Sequence, residues 1–282
     1  MGRLEPEVRM VDQRTVLVTG ANSGIGLATV LEAARRGLRA VGTVRSAAKA
    51  DVVAKAAAEA GLQVETSILD VTDAAGCAEV VDRYRPYGLV NNAGYSVTGA
   101  VEDIDDDEAR AAVETMLLAP ARLARLAVPH MRAAGGGRIV NVSSVYGRTT
   151  TPLTGWYQAC KHGLEGLSDA LRIEVAGSGI RVVLVEPGGF RTGIWEEAEK
   201  EVARRAGSRY SSAYQRALTG MRLAQPVMGN PGQVARVVVR AVTTRSPRPR
   251  YLVGVDAQTV TVWDRVTPTS VKDRLTRLVL GL

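Results

Sequence analysis

In the stretch "WYQACKHG", Trp156 to Gly163, a tyrosine and a lysine stand four residues apart within a run that reads as a helix. Residues at that spacing share one helix face, which sets Tyr157 and Lys161 side by side, a phenol next to an ammonium. A free phenol ionises near pH ~10, and a neighbouring cation favours the phenolate, so the pair would exchange protons nearer neutrality. That is the behaviour of a general acid or base. The same spacing also describes an exposed helix face on which the two residues merely meet, and the rest of the chain has to discriminate.

A second candidate lies near the start of the chain. The run "TVLVTG" is followed by "ANSGIG", which places Gly20, Gly24 and Gly26 where a strand gives way to a helix. Glycines there permit a tight turn and let a phosphate approach backbone N–H groups at a helix N-terminus, where the dipole favours an anion. A strand before the turn and a helix after it are the context a dinucleotide site requires, although the spacing is GxxxGxG and not GxGxxG.

The elements that must position these residues follow from hydrophobic periodicity. Short β-branched runs alternate with longer amphipathic or alanine-rich ones: "TVLVTG" then Gly24 to Arg36, "RAVGTV" then Ala47 to Glu59, "VETSILDV" then Ala74 to Tyr84. The pattern continues through "GLVNNAG", one long helix from about Asp105 to Ala134, "GRIVNVSS", a helix from Trp156 to about Ala176, and "IRVVLVEPGG". Such alternation requires crossover connections, hence an α/β fold with a doubly wound parallel sheet and ligands at the carboxyl ends of the strands.

After Gly189 the rhythm breaks into a polar stretch, about 190–228, that carries Trp195, Tyr210, Tyr214 and Met221 among charges and reads as a lid over the site. Residues 229–282 follow as a helix, a strand and a tail, the helix opened by Asn230 as N-cap with Pro231 at its first position. The tail "PTSVKDRLTRLVLGL" has leucines and valines at helical spacing beside arginines, a pattern for packing on the domain or a second subunit, or for lying on a membrane surface. The whole chain reads as one domain, 1–282, with a cofactor-binding core at about 14–189.

Composition narrows the class. The 282 residues are 46% hydrophobic, enough for a substantial core. The charged start "MGRLEPEVRM" has no apolar leader, and no apolar run reaches the ~18 residues of a membrane span. Cys77 and Cys160 match neither a disulfide framework nor zinc spacing, so free thiols and a cytoplasmic location are expected. His130 and His162 have no ligand-spaced partners, and no metal is expected. The net charge of +7 raises nucleic acid as a partner, but the basic residues are dispersed. Their densest group, "RSPRPR", has no aromatic residue or recognisable motif and reads as a solvated loop, so nucleic acid is not expected.

The ordered set TGxxxGIG, "NNAG" at Asn91 to Gly94, a serine, YxxxK and "PGG" resembles the short-chain dehydrogenase/reductase family over about Thr15 to Thr192. The resemblance implies a Rossmann-type fold and an oxidoreductase. It places the family serine thirteen residues before the tyrosine, at Ser144. By resemblance, Ser144 would bond the substrate carbonyl, Tyr157 would donate the proton, and Lys161 would lower the tyrosine pKa and hold the nicotinamide ribose. Elementary chemistry agrees, because hydride arriving at a carbonyl carbon leaves charge on oxygen that needs a donor and a proton.

The resemblance also implies cofactor contacts: the turn residues Gly20, Asn22, Ser23, Gly24, Ile25 and Gly26 for the dinucleotide, and Asp70 and Val71 for adenine. Asn92, Ala93 and Gly94 would line the adenosine ribose and the floor, while Pro187, Gly188 and Thr192 would meet the nicotinamide carboxamide. "VGTVRS" ends in Arg45 with no carboxylate, which suits a 2′-phosphate and points to NADP(H), although Ser23 stands where some NADP-preferring relatives carry a second basic residue. One departure stands out: the family asparagine on the long helix falls at Met116, a weak acceptor and no donor.

The expected function is therefore an NADP(H)-dependent hydride transfer with a lipophilic ketone, aldehyde or secondary alcohol, steroid-, retinoid- or polyketide-like. The region after Gly189, including "PRPRYLVG", resembles hydroxysteroid and retinol dehydrogenases. Met116 motivates the alternatives, a redox-neutral epimerase, dehydratase or cyclase, or a non-catalytic NADP(H)-binding regulator. Homo-oligomers, dimers or tetramers, are expected through the long helix and the Trp156 to Ala176 helix.

Overall fold

The computed structural model describes residues 14–191 and 194–282. Strands β1 (Thr15–Thr19), β2 (Arg39–Val44), β3 (Glu65–Ile68), β4 (Gly88–Asn91), β5 (Gly137–Val142), β6 (Ile180–Pro187) and β7 (Arg250–Val253) form one parallel sheet in the order β3-β2-β1-β4-β5-β6-β7. The order reverses between β1 and β4, which pair at Val18 and Val90, and this opens a crevice beyond their carboxyl ends.

Helices cover both faces, which is why the strands read as continuous Val-rich runs instead of alternating ones. On one face, α1 (Gly24–Arg35), α2 (Ala47–Glu59) and α9 (Pro231–Thr243) pack Val30, Val53, Val234 and Val238 against Val16, Val90 and Val140. On the other, α3 (Ala74–Tyr84), α5 (Ala119–Ala133) and α6 (Gly155–Glu174) surround Leu17, Leu89 and Ile139. Each such fully buried aliphatic side chain contributes roughly 1.5–3 kcal/mol.

Helix starts follow local chemistry. Asp73 accepts the Ala75 N–H at 3.0 Å to open α3, and Asp105 accepts the Glu108 N–H at 2.8 Å to open α4 (Asp106–Val113). Asn230 caps α9 as its sequence predicts, accepting from Gly232 N–H at 2.8 Å ahead of Pro231.

Three features differ from the sequence reading. The long helix is not uniform: between α4 and α5 the segment Glu114–Leu118 is a π turn, and it carries Met116. The polar stretch after Gly189 contains two helices, α7 (Ile194–Arg204) and α8 (Ser211–Ala224). The tail is a pair, α10 (Val255–Val266) and α11 (Thr269–Leu280), of which the sequence signalled only the second. The π turn leaves the helical periodicity intact, and the helices after Gly189 and the first of the tail pair are dense in charged and polar residues, which masked them.

Candidate active site

The crevice floor is tied together by Thr19 at the end of β1. Its Oγ1 accepts the N–H groups of Asn92 and Ala93, both at 3.0 Å, while Asn92 Nδ2 donates back to the carbonyls of Thr19 at 2.9 Å and Gly20 at 3.2 Å. Gly20 turns the chain at φ +66°, and a Cβ on Gly26 would stand 2.2 Å from the Gly20 carbonyl oxygen, so only glycine allows helix α1 to approach the turn. Ser23 takes the N-cap position of α1 without closing a side-chain cap, and Asn22, Gly24 and Ile25 flank it. The first-turn N–H groups and the positive helix end are thus available to an anion, as a dinucleotide phosphate needs.

Arg45 lies exposed just past β2. Beside it Asp70 is held below the ordinary carboxylate range, first by the Thr72 backbone N–H at 3.0 Å, with the Thr72 hydroxyl, Arg45 and Lys49 acting in the same direction against partial burial. Lys49, in the first turn of α2, is a second cation at this edge that sequence reading missed; its signal is its position four residues after Arg45. Val71 next to Asp70 is buried, and its carbonyl accepts from Arg122 at 3.1 Å.

Strand β5 and helix α6 bring Ser144, Tyr157 and Lys161 to the other side of the crevice. Ser144 follows the end of β5 and accepts the Tyr146 N–H at 3.2 Å, and the Tyr146 ring meets Tyr157 edge-on at 6.4 Å. Lys161 is 6% exposed and its Nζ donates to the Val142 carbonyl at 2.9 Å. Burial pulls the Lys161 ammonium down to about 8, partly offset by Cys160 and Glu165. Burial pushes Tyr157 up to about 12, with the Ser144 hydroxyl working in the other direction.

That geometry corrects the expectation that Lys161 lowers the Tyr157 pKa. Helical spacing does set the two side by side, but the ammonium reaches past the ring, 5.7 Å from its centroid, to a strand carbonyl. Among the protein's own groups, burial sets the Tyr157 shift and the Ser144 hydroxyl opposes it.

Met116 is 1% exposed among Val97, Ile104, Ala112 and Cys160, with Tyr157 partly buried against the same cluster. A Cβ on Gly94 would lie 3.4 Å from its Cγ and Sδ, so the thioether abuts the NNAG turn from below. A polar chain unforeseen from sequence runs nearby: Asn91 Nδ2 donates to Asn141 Oδ1 at 2.8 Å, Asn141 Nδ2 to Ser168 Oγ at 2.8 Å, and Ser168 to the Leu164 carbonyl at 2.6 Å. It joins β4, β5 and α6, and so fixes the strand end whose carbonyl holds Lys161.

At the end of β6 Pro187 leads into Gly188, whose N–H donates to the Val253 carbonyl at 2.9 Å. The Gly189 N–H donates to Asp256 Oδ2 at 2.5 Å, and any Cβ on Gly188 would strike that carboxylate. Asp256, on α10, was not anticipated. Thr192 lies outside the described residues, as does the side chain of Trp195. Tyr214 faces the interior and not the crevice: it is 0% exposed, its hydroxyl donates to Asp103 at 2.6 Å and accepts the Ala100 N–H at 2.6 Å. Met221 and Tyr210 pack on the same cluster, so these residues anchor the segment and carry no argument about substrate. His162 Nδ1 bonds the Gln158 carbonyl at 2.9 Å, and His130 stands 3.9 Å from Asp82. Among the described residues no three acidic, histidine or cysteine side chains converge as a metal site.

Comparison with known proteins gives concordant matches. The family model described as short chain dehydrogenase matches residues 14–203. Retinol dehydrogenase 7 of Rattus norvegicus is 30% identical over 272 residues, covering 89% of this chain and 84% of that protein. The structure of a short-chain dehydrogenase from Streptomyces avermitilis superposes with a TM-score of 0.77 at 32% identity, over 95% of this chain and 96% of that one. A point variant of actinorhodin polyketide ketoreductase, solved with NADPH, gives 0.72 at 29% identity, covering 87% and 97%.

Proposed function

The chain belongs to the short-chain dehydrogenase family, oxidoreductases that bind a nicotinamide cofactor, and from this we propose that it transfers hydride between NADP(H) and a lipophilic ketone, aldehyde or secondary alcohol. The observation that carries the proposal is the convergence of Ser144, Tyr157 and Lys161 across the crevice from the glycine turn.

The bound nicotinamide would supply or accept the hydride. Gly20, Asn22, Ser23, Gly24, Ile25 and Gly26 would hold its pyrophosphate, with Asp70 and Val71 at adenine and Asn92, Ala93 and Gly94 at the ribose and floor. Pro187, Gly188 and Thr192 would border the nicotinamide. Exposed Arg45, seconded by Lys49, supports NADP(H) over NAD(H), since a guanidinium suits a phosphate dianion.

Ser144 would donate to the carbonyl oxygen of the substrate, and Tyr157, kept protonated by burial, would deliver the proton as the alkoxide forms. Lys161, anchored on Val142, would present its positive charge to the same region. Met116 gives the family's polar position an apolar filling that packs with Val97, Ile104 and Ala112. A retinol dehydrogenase and a polyketide ketoreductase among the similar proteins support a bulky apolar substrate.

The same proposal includes residues 190–228 as the substrate lid on a core at 14–189, and a homo-oligomer. An apolar groove of about 370 Å³ between α5 and α6, lined by Pro120, Ala124, Val128, Leu164, Leu167 and Leu171, supports the oligomer. Two free, buried thiols support a cytoplasmic location, and no described helix is long and apolar enough to cross a membrane.

The test is oxidation of NADPH, with NADH as control, against steroid, retinoid and polyketide-like carbonyls. Wild type is expected to consume NADPH, and Tyr157→Phe to lose ~10²–10⁴-fold in kcat/KM while still binding NADPH. NADPH binding without turnover of any carbonyl would overturn the reading.

A further inference from the structure

Behind the Ser144 turn lies a buried carboxylate pair that the reaction as described does not use. Glu186 on β6 is 0% exposed, and Glu165 on α6 is also buried, one helical turn beyond Lys161. Two buried carboxylates side by side repel each other and are desolvated together, a state maintained only by ample hydrogen-bond donors.

The donors are too few. Arg250, from β7, places its Nε 3.1 Å from Glu165 Oε2 and 3.2 Å from Glu186 Oε1, but Nε carries a single hydrogen, which Glu165 receives. The Arg250 Nη2 is directed to Asp169, which Arg172 also serves at 2.9 Å. Arg148, in the turn after β5, reaches Glu186 Oε2 only at 3.4 Å, from a side chain that is 41% exposed. Glu165 Oε1 and Glu186 Oε1 are left buried without a hydrogen-bond partner, and the Ser143 hydroxyl, also unpaired, carries a single hydrogen that can serve only one of them. Gly147 lets them gather: a Cβ there would lie 2.7 Å from Ser143 Oγ and 3.2 Å from Glu165 Oε1. One more hydrogen on the pair would supply the missing donor.

We propose that Glu165 and Glu186 hold one proton between them, carried by Glu186, and that the charge remaining on Glu165 is the counter-ion that keeps the buried Lys161 protonated. Glu165 is thus a positioning residue for Lys161, in a site where Met116 offers no polar partner. The charged groups facing the pair are Lys161 and Asp169 from α6, Arg148 from the turn, and Arg250 from β7. Burial and the charge of Glu165 raise the Glu186 pKa, the direction the proposal requires. The role assigned to Lys161 rests on the function proposed above; the protonation of the pair does not.

The test uses the full-length protein and needs no turnover. Isotope-edited infrared spectra at pH 7 are expected to show a protonated carboxylic acid that Glu186→Gln removes. Because the acid binds its proton more tightly in the fold, stability is highest below the ordinary carboxylate range and falls as pH rises above it. The wild-type unfolding constant should increase about tenfold per pH unit there until Glu186 ionises, and this slope should vanish in Glu186→Gln.

The chain has five lysines, so ¹³C-labelled lysine can follow Lys161 directly. Its titration, expected at about 8, should fall by about one unit or more in Glu165→Gln and recover in Glu165→Asp. Absence of the acid signal, a Glu186→Gln protein weakened at neutral pH, or equal shifts of Lys161 in both Gln variants would each show two ionised carboxylates and overturn the proposal. Failure to oxidise NADPH would sink the proposed function and leave these readouts standing.

Discussion

Lys161 stands beside Tyr157, its Nζ 5.7 Å from the ring centroid, yet gives its hydrogen bond to the Val142 carbonyl 2.9 Å away. The ammonium is therefore moored to a strand end and not to the phenol. Burial opposes the charged form of each, moving the lysine down and the tyrosine up.

A pH dependence of stability follows. The folded Lys161 value of about 8 lies below the ~10.4 of an unfolded lysine, so between them the unfolded chain binds more protons and stability rises with pH. Lys161→Met, which removes the titrating group, should abolish that rise and leave stability unchanged between pH 8 and pH 10. Denaturant unfolding at pH 7 and pH 10 measures both; an unaltered slope in the variant would assign the effect elsewhere.

At the cofactor edge, Arg45→Glu replaces a cation with a charge that repels phosphate. NADPH affinity should drop by about tenfold or more, a loss of ~1.5–3 kcal/mol, while NADH affinity holds. Lys49→Ala should show a smaller loss in the same sense. Calorimetric titration of both dinucleotides decides, and equal losses for NADH would show that Arg45 does not read the 2′-phosphate.

Met116→Asn puts an amide among Val97, Ile104 and Ala112, an apolar cluster. The expected cost is ~1–3 kcal/mol. Met116→Leu keeps volume and polarity and should cost less than ~1.5 kcal/mol. Thermal unfolding that ranks the two variants the other way would indicate polar surroundings at this position.

For the groove between α5 and α6, Leu167→Glu adds a charge to a half-exposed apolar wall. Light scattering should show wild-type oligomers and variant species of smaller mass, with Tm measured alongside. Identical masses would move the interface off this groove.

The sequence by itself determined the sheet and its helices, because Val-rich runs and capping residues act within a few positions of one another. The end residues of α2 and α3 coincide with the sequence reading, and the cap at Asn230 formed as its side chain dictates. It also put the glycine turn, the NNAG run and the serine at the carboxyl ends of their strands, where a parallel sheet opens its crevice. Only the tertiary structure decided what those residues touch. Whether Lys161 meets a phenol or a carbonyl depends on the register of β5 beneath α6, and Tyr214 is an interior anchor because Asp103 and Ala100 lie opposite it. The π turn at Met116 and the meeting of Arg250 with Glu165, 85 residues away, leave no local signature either. Burial and partner choice are set by packing between distant segments, and those two quantities fix the protonation of this site.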